Sequence, residues 1–277
     1  MEYALVGVCY DQRQRRILEI TLPSWREYAH RHNLPLVILE RSNAGEDHYW
    51  NKHLLFQTPE LRSAKRLLFV DNDVFLNPSA GPLLQEWQSP LIGATPESNQ
   101  AGWDKGFIDH YYVDYDVNRA KSLADAAIIN TGVLVIPREQ AHFLEKTYAA
   151  WKARRRPIPQ PHASWKERFI AMNDQPHVSY ALQAEERWQD FGSHFNTLWW
   201  HWYRRHVSTR QMPFLLRSKA ASLTIDRVPG KLWRLLFYRE RALFARALRE
   251  VGFLHVAGSK SPLFLGEGFC VNSRQTR

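Results

Sequence analysis

Two aspartates one residue apart, Asp71 and Asp73, directly follow four consecutive apolar residues, Leu67-Leu68-Phe69-Val70. On an extended backbone residues i and i+2 project to the same side, so both carboxylates leave the end of a buried strand together. Carboxylates held that close repel each other, and a hard divalent cation such as Mg2+ or Mn2+ relieves the repulsion. Such a cation would also clamp a diphosphate. The plainer alternative is that the acids form an Asx turn or cap the element after Pro78. The apolar run Val74-Phe75-Leu76 behind the pair argues against an ordinary loop. In open α/β sheets, moreover, ligands sit at the carboxyl ends of strands.

The surrounding pattern predicts a scaffold that would put the pair at such an edge. Tyr3 to Cys9, Leu36 to Leu39 and Leu67 to Val70 read as buried strands. Between them, Gln12 to His32 and Trp50 to Leu61 carry helical spacing, the first interrupted by Pro23 and the second by Pro59. The order β-α-β-α-β implies an α/β fold with a parallel sheet and right-handed crossovers. Residues 97–127 show little periodicity and read as a long surface excursion. Ile128-Ile129 and Val133 to Ile136 read as further strands, 154–161 as a connector, Lys231 to Glu250 as a helix, and Phe253 to Val256 as a last strand.

Composition sets the class. A chain of 277 residues with 44% apolar and 23% charged residues is an ordinary globular protein, which excludes disorder, collagen and coiled coil. Two cysteines, Cys9 and Cys270, make no disulfide framework and point to a reducing, cytoplasmic setting. The start of the chain has no signal-peptide pattern, and no stretch reaches the ~18 apolar residues of a membrane span. The net charge is +9, and 204–250, with twelve basic and three acidic residues, accounts for the whole excess. That concentration implies a local anionic partner, and no nucleic-acid-binding motif accompanies it.

The segment Arg66 to Leu76 resembles the metal-binding strand of GT-A fold glycosyltransferases. It is closest to the retaining family 8 type, which includes bacterial lipopolysaccharide galactosyl- and glucosyltransferases and glycogenin. Three further segments resemble that family in the same order. Ile129-Asn130-Thr131-Gly132-Val133-Leu134-Val135-Ile136 is similar to its Asn-Ala-Gly strand. Asn173-Asp174-Gln175 is similar to its Asp-Gln pair near the anomeric carbon. His255-Val256-Ala257-Gly258-Ser259-Lys260-Ser261-Pro262 is similar to its His-x-x-Gly-x-x-Lys-Pro motif. Two positions depart from the pattern: Thr131 stands where the family has a small Ala, and Lys260 arrives one residue early.

The resemblance implies a single GT-A domain over 1–277, Rossmann-like, with a mostly parallel sheet flanked by helices. The implied reaction moves a sugar from a nucleotide diphosphate sugar, a UDP-sugar, to a glycan or glycolipid acceptor with retention. Asp71, Asp73 and His255 would ligate Mn2+ (or Mg2+). Gly258 and Lys260 would meet the phosphates, and Asn130 and Gly132 the donor sugar. Asp174 would hold sugar hydroxyls and Gln175 would lie under the anomeric carbon, the two acting as catalytic residues. Val8, Tyr10, Lys52 and Asn72 complete the expected donor contacts.

Blander readings stand beside several of these. His255 alone would be a satisfied core histidine. Asn173 could simply cap a helix through Tyr180, leaving Gln175 exposed. Lys52 could lie on a solvated helix face.

On 231–250 the basic residues Lys231, Arg234, Arg239, Arg241, Arg246 and Arg249 share one half of a helix, and Leu232, Trp233, Leu236, Phe237, Leu243, Phe244 and Leu248 the other. This basic amphipathic C-terminal helix either lies on an anionic membrane at the cytoplasmic face or packs its apolar half on the core. The aromatic stretch Phe195 to Tyr203 and residues 97–127 are the expected acceptor contacts, with Trp199, Trp200 and Trp202 as a stacking platform. Two other functions share parts of the pattern: a haloacid dehalogenase-type phosphatase, which also places Asp-x-Asp after a buried strand, and a non-catalytic carbohydrate- or lipid-binding module.

Overall fold

The structure, a computed structural model, describes residues 1–40, 44–45, 47–97, 127–154, 174–206 and 242–256. Strands β1 (Tyr3–Val8), β2 (Leu36–Leu39) and β3 (Arg66–Val70) pair in parallel with β1 in the middle. After β4 (Val74–Leu76) come β5 (Ile92–Pro96), β6 (Ile129–Pro137) and β7 (Trp188–Asp190). They complete a six-stranded sheet in the order β2-β1-β3-β6-β5-β7. Only β6 runs antiparallel to its neighbours, so the sheet is mostly parallel.

The near-continuous apolar strands divide their side chains by the two-residue period. Ala4, Val6, Leu67, Phe69, Leu134 and Ile136 face one layer, which holds α3 (Ala141–Arg154) and α4 (Gln175–Ala184). Leu5, Leu68, Val70, Val133 and Val135 face the other, which holds α1 (Gln12–Arg31) and the short α2 (Leu83–Glu86). The result is a mixed α/β architecture with helices on both faces of the sheet.

Helix α1 starts at Asp11, whose side chain accepts from the Gln14 amide, and continues unbroken through Pro23. The expected division at Pro23 is absent because the helix is fastened to the β3–β4 turn on both sides of it. Thr21 Oγ1 donates to the Asn72 carbonyl at 2.7 Å and Trp25 Nε1 to the Val74 carbonyl at 2.7 Å. Tyr28 OH donates to the Gly81 carbonyl at 2.9 Å. These bonds set the position of the segment that carries Asp71 and Asp73.

The expected helix over Trp50 to Leu61 is instead two 3-10 turns, His48–His53 and Leu55–Gln57. The reason is burial on every side: Trp50 through Phe56 are all buried, which an amphipathic helix with one solvated face does not allow. Trp50 stacks on Trp151 of α3 with centroids 4.6 Å apart, anchoring this segment from behind. The two expected strands at Ile128-Ile129 and Val133 to Ile136 also differ from expectation. Ile129 and Val133 to Ile136 belong to one nine-residue strand, Ile129–Pro137, buried throughout and antiparallel, since a mostly apolar run carries no information on strand direction.

A second sheet of three strands has the order β4-β9-β8, with β8 (Thr197–Leu198) and β9 (Phe253–His255). Over it lie α5 (Trp199–His206) and the helical segment 242–250, here α6. Phe244, Ala247, Leu243 and Leu248 of α6 pack against Phe75, Trp199, Trp202 and Leu254. The apolar half of 242–250 therefore covers protein, not lipid, while Arg246 and Arg249 are exposed. Residues 231–241 lie outside the described residues. Trp199 and Trp202 are each 4% exposed, so these two serve the core and not as an open stacking platform. No helix among the described residues is long and apolar enough to cross a membrane.

Candidate active site

The site is assembled by strand register. Val70 pairs with Val133 across β3 and β6, and the Asp71 amide donates to the Gly132 carbonyl at 2.7 Å, so Asn130, Thr131 and Gly132 lie beside the carboxylate pair. In the small sheet His255 is in register with Val74 on one side and Leu198 on the other. The Val256 amide donates to the Asp73 carbonyl at 2.9 Å, which sets the His255 ring next to Asp73. Thr95 pairs with Asn130 across β5 and β6, bringing Glu97 to the same edge.

Asp71, Asp73 and His255 each offer one ligand atom, and these atoms lie within 4.8 Å of one another. His255 Nε2 is 3.2 Å from Asp73 Oδ1, and the imidazole is buried while the carboxylate is about a third exposed. Burial pushes the Asp73 carboxyl up, but the neighbouring imidazole more than offsets it and holds it below the usual range. For Asp71 burial wins: its carboxyl is raised, against the pull of Lys52 and with the help of repulsion from Asp73. Burial lowers His255, yet the Asp73 carboxylate reverses that and leaves the ring more basic than usual. Two carboxylates and one imidazole are a donor set that suits Mn2+ or Mg2+ better than Ca2+, so the residues present fit such an ion.

Behind this cluster lies a buried ionic network. Lys52 Nζ sits 3.3 Å from Asp174 Oδ2 and 3.6 Å from Asp71 Oδ1. It donates to the Thr131 carbonyl at 3.1 Å and to Thr131 Oγ1 at 3.2 Å. The Thr131 hydroxyl thus has a use: it accepts one hydrogen bond from a buried ammonium. Burial would lower Lys52, but Asp174 and Asp71 together hold it above its usual value. His53 Nε2 is 2.9 Å from Asp174 Oδ2. Burial keeps the His53 ring neutral, so Nε2–H donates to the carboxylate. Asp174, 1% exposed, is pushed up by burial and pulled further down by Lys52 and His53, ending below the usual carboxylate range.

The expected site residues fall into distinct positions. Asp71, Asp73, His255, Lys52, Asn130, Gly132, Asp174 and Gln175 converge at one edge. Lys52 is 6% exposed and faces the carboxylates, not solvent. Gln175 is half-buried and donates from Nε2 to Glu97 Oε2 at 2.9 Å, so it is not a free surface residue. Asn72 turns away from the pair and donates to the Val8 carbonyl at 2.7 Å, tying the Asp71–Asp73 turn to the end of β1. Val8 and Tyr10 lie half-buried at that end. Burial pushes the Tyr10 phenol up, leaving it a neutral, amphipathic ring. Asn173, Gly258 and Lys260 are outside the described residues, as are 98–126.

Four further residues complete the site: Glu97, Asn196, His53 and Thr131. Glu97 Oε2 accepts from both Asn130 Nδ2, at 3.2 Å, and Gln175 Nε2. Burial raises its carboxyl despite these two donors. Glu97 follows the short strand Ile-Gly-Ala-Thr-Pro, in which Gly, Ala and Pro dilute the β-branched pattern that marks strands in sequence. His53 adjoins Lys52, and its only sequence signal is that adjacency.

Gly132 shows how tight the edge is. A Cβ at this position would lie 2.2 Å from His255 Cε1 and 3.0 Å from Asn130 Oδ1. The ring is held at Nδ1 by Asn196 and at Nε2 by Asp73, so a shift breaks contacts it makes. Gly132→Ala is therefore expected to cost about 1–3 kcal/mol of stability as an overpacking change. It is also expected to displace His255 from Asp73. Urea denaturation with parallel Mn2+ titration checks both; unchanged stability with unchanged Mn2+ binding would refute the close approach.

No family model matches the sequence, and no curated protein matches it. Solved structures do. Over 95% of this chain and 98% of the other, the structure is similar to a glycosyltransferase involved in glycosylation of the major capsid of PBCV-1, at 10% identity and a TM-score of 0.51. The chain has a GT-A glycosyltransferase fold. Similarity extends to GlyE, a glycosyltransferase of Streptococcus pneumoniae TIGR4 (11% identity, TM-score 0.46, 95% of this chain and 56% of that one). It also extends to the bifunctional glycosyltransferase WbbM (14% identity, TM-score 0.46, 94% of this chain and 46% of that one). This GT-A chain thus spans about half the length of each of the last two.

Proposed function

We propose that this chain is a metal-dependent hexosyltransferase that moves a sugar from a nucleoside diphosphate sugar, a UDP-sugar, to a glycan or glycolipid hydroxyl with retention. The observation that carries this reading is the convergence of Asp71, Asp73 and His255 within 4.8 Å at the carboxyl end of the sheet. The GT-A fold and the family-8-like motifs support it.

The reaction breaks the bond between the anomeric carbon and the diphosphate oxygen and forms one to an acceptor oxygen, whose proton leaves. Charge accumulates on the departing diphosphate, so its electrostatic stabilisation is the main task. A Mn2+ or Mg2+ ion held by Asp71, Asp73 and His255 would supply that stabilisation when bound. Lys52 keeps Asp174 ionised and pulls Asp71 toward its charged form. Asn130, Gln175 and Glu97 form a rigid polar wall for the donor sugar, fixed by the two bonds to Glu97 Oε2. Gln175 serves under the anomeric carbon, and Asp174 holds the start of α4 that presents it. Gly258 and Lys260 would add phosphate contacts, and Tyr10 a face for the base. For a glycolipid acceptor, the exposed Arg246 and Arg249 belong to the basic half of 231–250 that would meet an anionic cytoplasmic leaflet.

The test is incubation with Mn2+ and a panel of sugar nucleotides. Slow release of nucleoside diphosphate without an acceptor, dependent on the ion, is expected, with phosphomonoesters left intact. Phosphate release from phosphomonoesters alone would make the chain a phosphatase. Sugar or lipid binding without either activity would make it a binding module.

A further inference from the structure

We infer that Asn196 is a positioning residue that fixes which ring nitrogen of His255 faces the carboxylate pair. A backbone amide can act in one role alone: the Gly132 N–H only donates. It donates to Asn130 Oδ1 at 2.8 Å, which fixes the orientation of the Asn130 amide. The Asn130 nitrogen then faces Glu97 Oε2, an acceptor, as it should. Asn196 meets the same Asn130 Oδ1 at 2.9 Å, and only its NH2 suits that contact. Its oxygen therefore faces His255 Nδ1 at 3.0 Å, so Nδ1 carries a hydrogen. The other nitrogen, Nε2, is left toward Asp73, 3.2 Å away, where it donates to the carboxylate until a cation takes the place of that proton.

Asn130, Asn196 and His255 are at most 3% exposed, so water is not at hand to excuse a reversed amide. Turning Asn196 over would set oxygen against oxygen at Asn130 and leave two buried polar contacts repulsive. Register supplies the placement: Leu198 pairs with His255, and Asn196 immediately precedes the β8 strand that makes this pairing. A glycine and an asparagine of β6, with Glu97 and Asn196 from two other stretches of chain, thus orient one imidazole. The consequence for metal affinity rests on the reading of Asp71, Asp73 and His255 as a cation site; the ring orientation itself does not.

Two measurements test this. The first uses the metal-free protein: 15N NMR of the histidine rings, with the signals of His255 assigned by comparison with His255→Gln. A protonated Nδ1 is expected, in the imidazolium or as the Nδ1–H tautomer; a ring protonated at Nε2 alone overturns the inference. The second compares Mn2+ binding by calorimetry in Asn196→Leu and Asn196→Asp. Leucine removes the acceptor, and a mixed tautomer with affinity about 10–100-fold weaker is expected, the usual range for losing a partner behind a metal-ligating histidine. Aspartate keeps an acceptor for Nδ1–H but loses the NH2 that meets Asn130 Oδ1, so it is expected to be less stable than the parent yet to keep Nδ1 protonated and to bind Mn2+ more tightly than the leucine variant, which a merely space-filling role would not predict. Parent-like tautomer and affinity in Asn196→Leu would overturn the assignment. If the leucine variant fails to fold, the tautomer of the parent still decides. A parent with the Nδ1–H tautomer but no Mn2+ binding would leave the orientation standing and remove the metal reading instead.

Discussion

Asp73→Asn is expected to reduce metal-dependent donor turnover by at least about 100-fold, the scale seen when one group stabilising a developing negative charge is removed. The substitution keeps size and hydrogen-bonding capacity and removes only the charge. Because Asp73 is about a third exposed and sits in a turn, the fold should survive, with the melting temperature close to the parent's. Two effects combine. The pair loses half its anionic charge, and His255 loses the carboxylate that raises its basicity. Raising the Mn2+ concentration should recover part of the rate, because affinity is impaired while the rest of the site is intact. Initial rates across a Mn2+ series would read this directly, and parent-like turnover at low Mn2+ would exclude Asp73 as a ligand.

The largest stability effect is expected at Lys52. Lys52→Met preserves most of the stem and deletes the ammonium, leaving Asp174 buried with only neutral His53 beside it. Breaking a buried ion pair from one side costs about 3–5 kcal/mol. The pH dependence gives the effect a signature. In the parent, Asp174 has a folded pKa below its unfolded value. It therefore contributes stability above the ordinary carboxylate range, lost as pH falls through the depressed folded value. Without Lys52 burial dominates, the Asp174 carboxyl is pushed up, and the variant gains stability relative to the parent as acid protonates it. The deficit in urea denaturation should be greatest near neutral pH and should shrink toward pH 5. A deficit that stays constant, or that grows in acid, would contradict the network.

How much of this was legible in the sequence follows from the kind of signal each part left. The Asp71–Asp73 edge was readable because a buried parallel strand ends abruptly in two acids, and both the strand and its parallel partners are where the pattern placed them. His255, Asn130 and Asp174 were readable only through likeness to family motifs, since nothing in the chain's periodicity brings residues so far apart to one point. Their meeting depends on register in β3–β6 and β4–β9, which is set by tertiary pairing. The antiparallel direction of β6 was not readable, and with it went Glu97, which reaches the site only because β5 and β6 pair as they do.

The enclosed position of Lys52, itself an expected site residue, and the part played by His53 were hidden for a different reason. Helical spacing suggested one wet face at Trp50 to Leu61, whereas the segment is enclosed and tightens into 3-10 turns that direct both residues at Asp174. Asn196 lay unnoticed among aromatic residues. The tryptophans there looked like a sugar platform, but Trp199 and Trp202 fill the core under α6, and the small polar residue ahead of them touches the candidate ligand.

In the proposed function two carboxylates of the β3–β4 turn and the imidazole of β9 hold one divalent ion at a nucleotide-binding edge. The most direct measurement is an anomalous difference map from a crystal soaked with Mn2+ and uridine diphosphate. A single strong peak within coordination distance of Asp71, Asp73 and His255 Nε2, adjoining the diphosphate, is the predicted result. Diphosphate bound with no peak there, or a peak ligated by other residues while His255 stays hydrogen-bonded to Asp73, would contradict it.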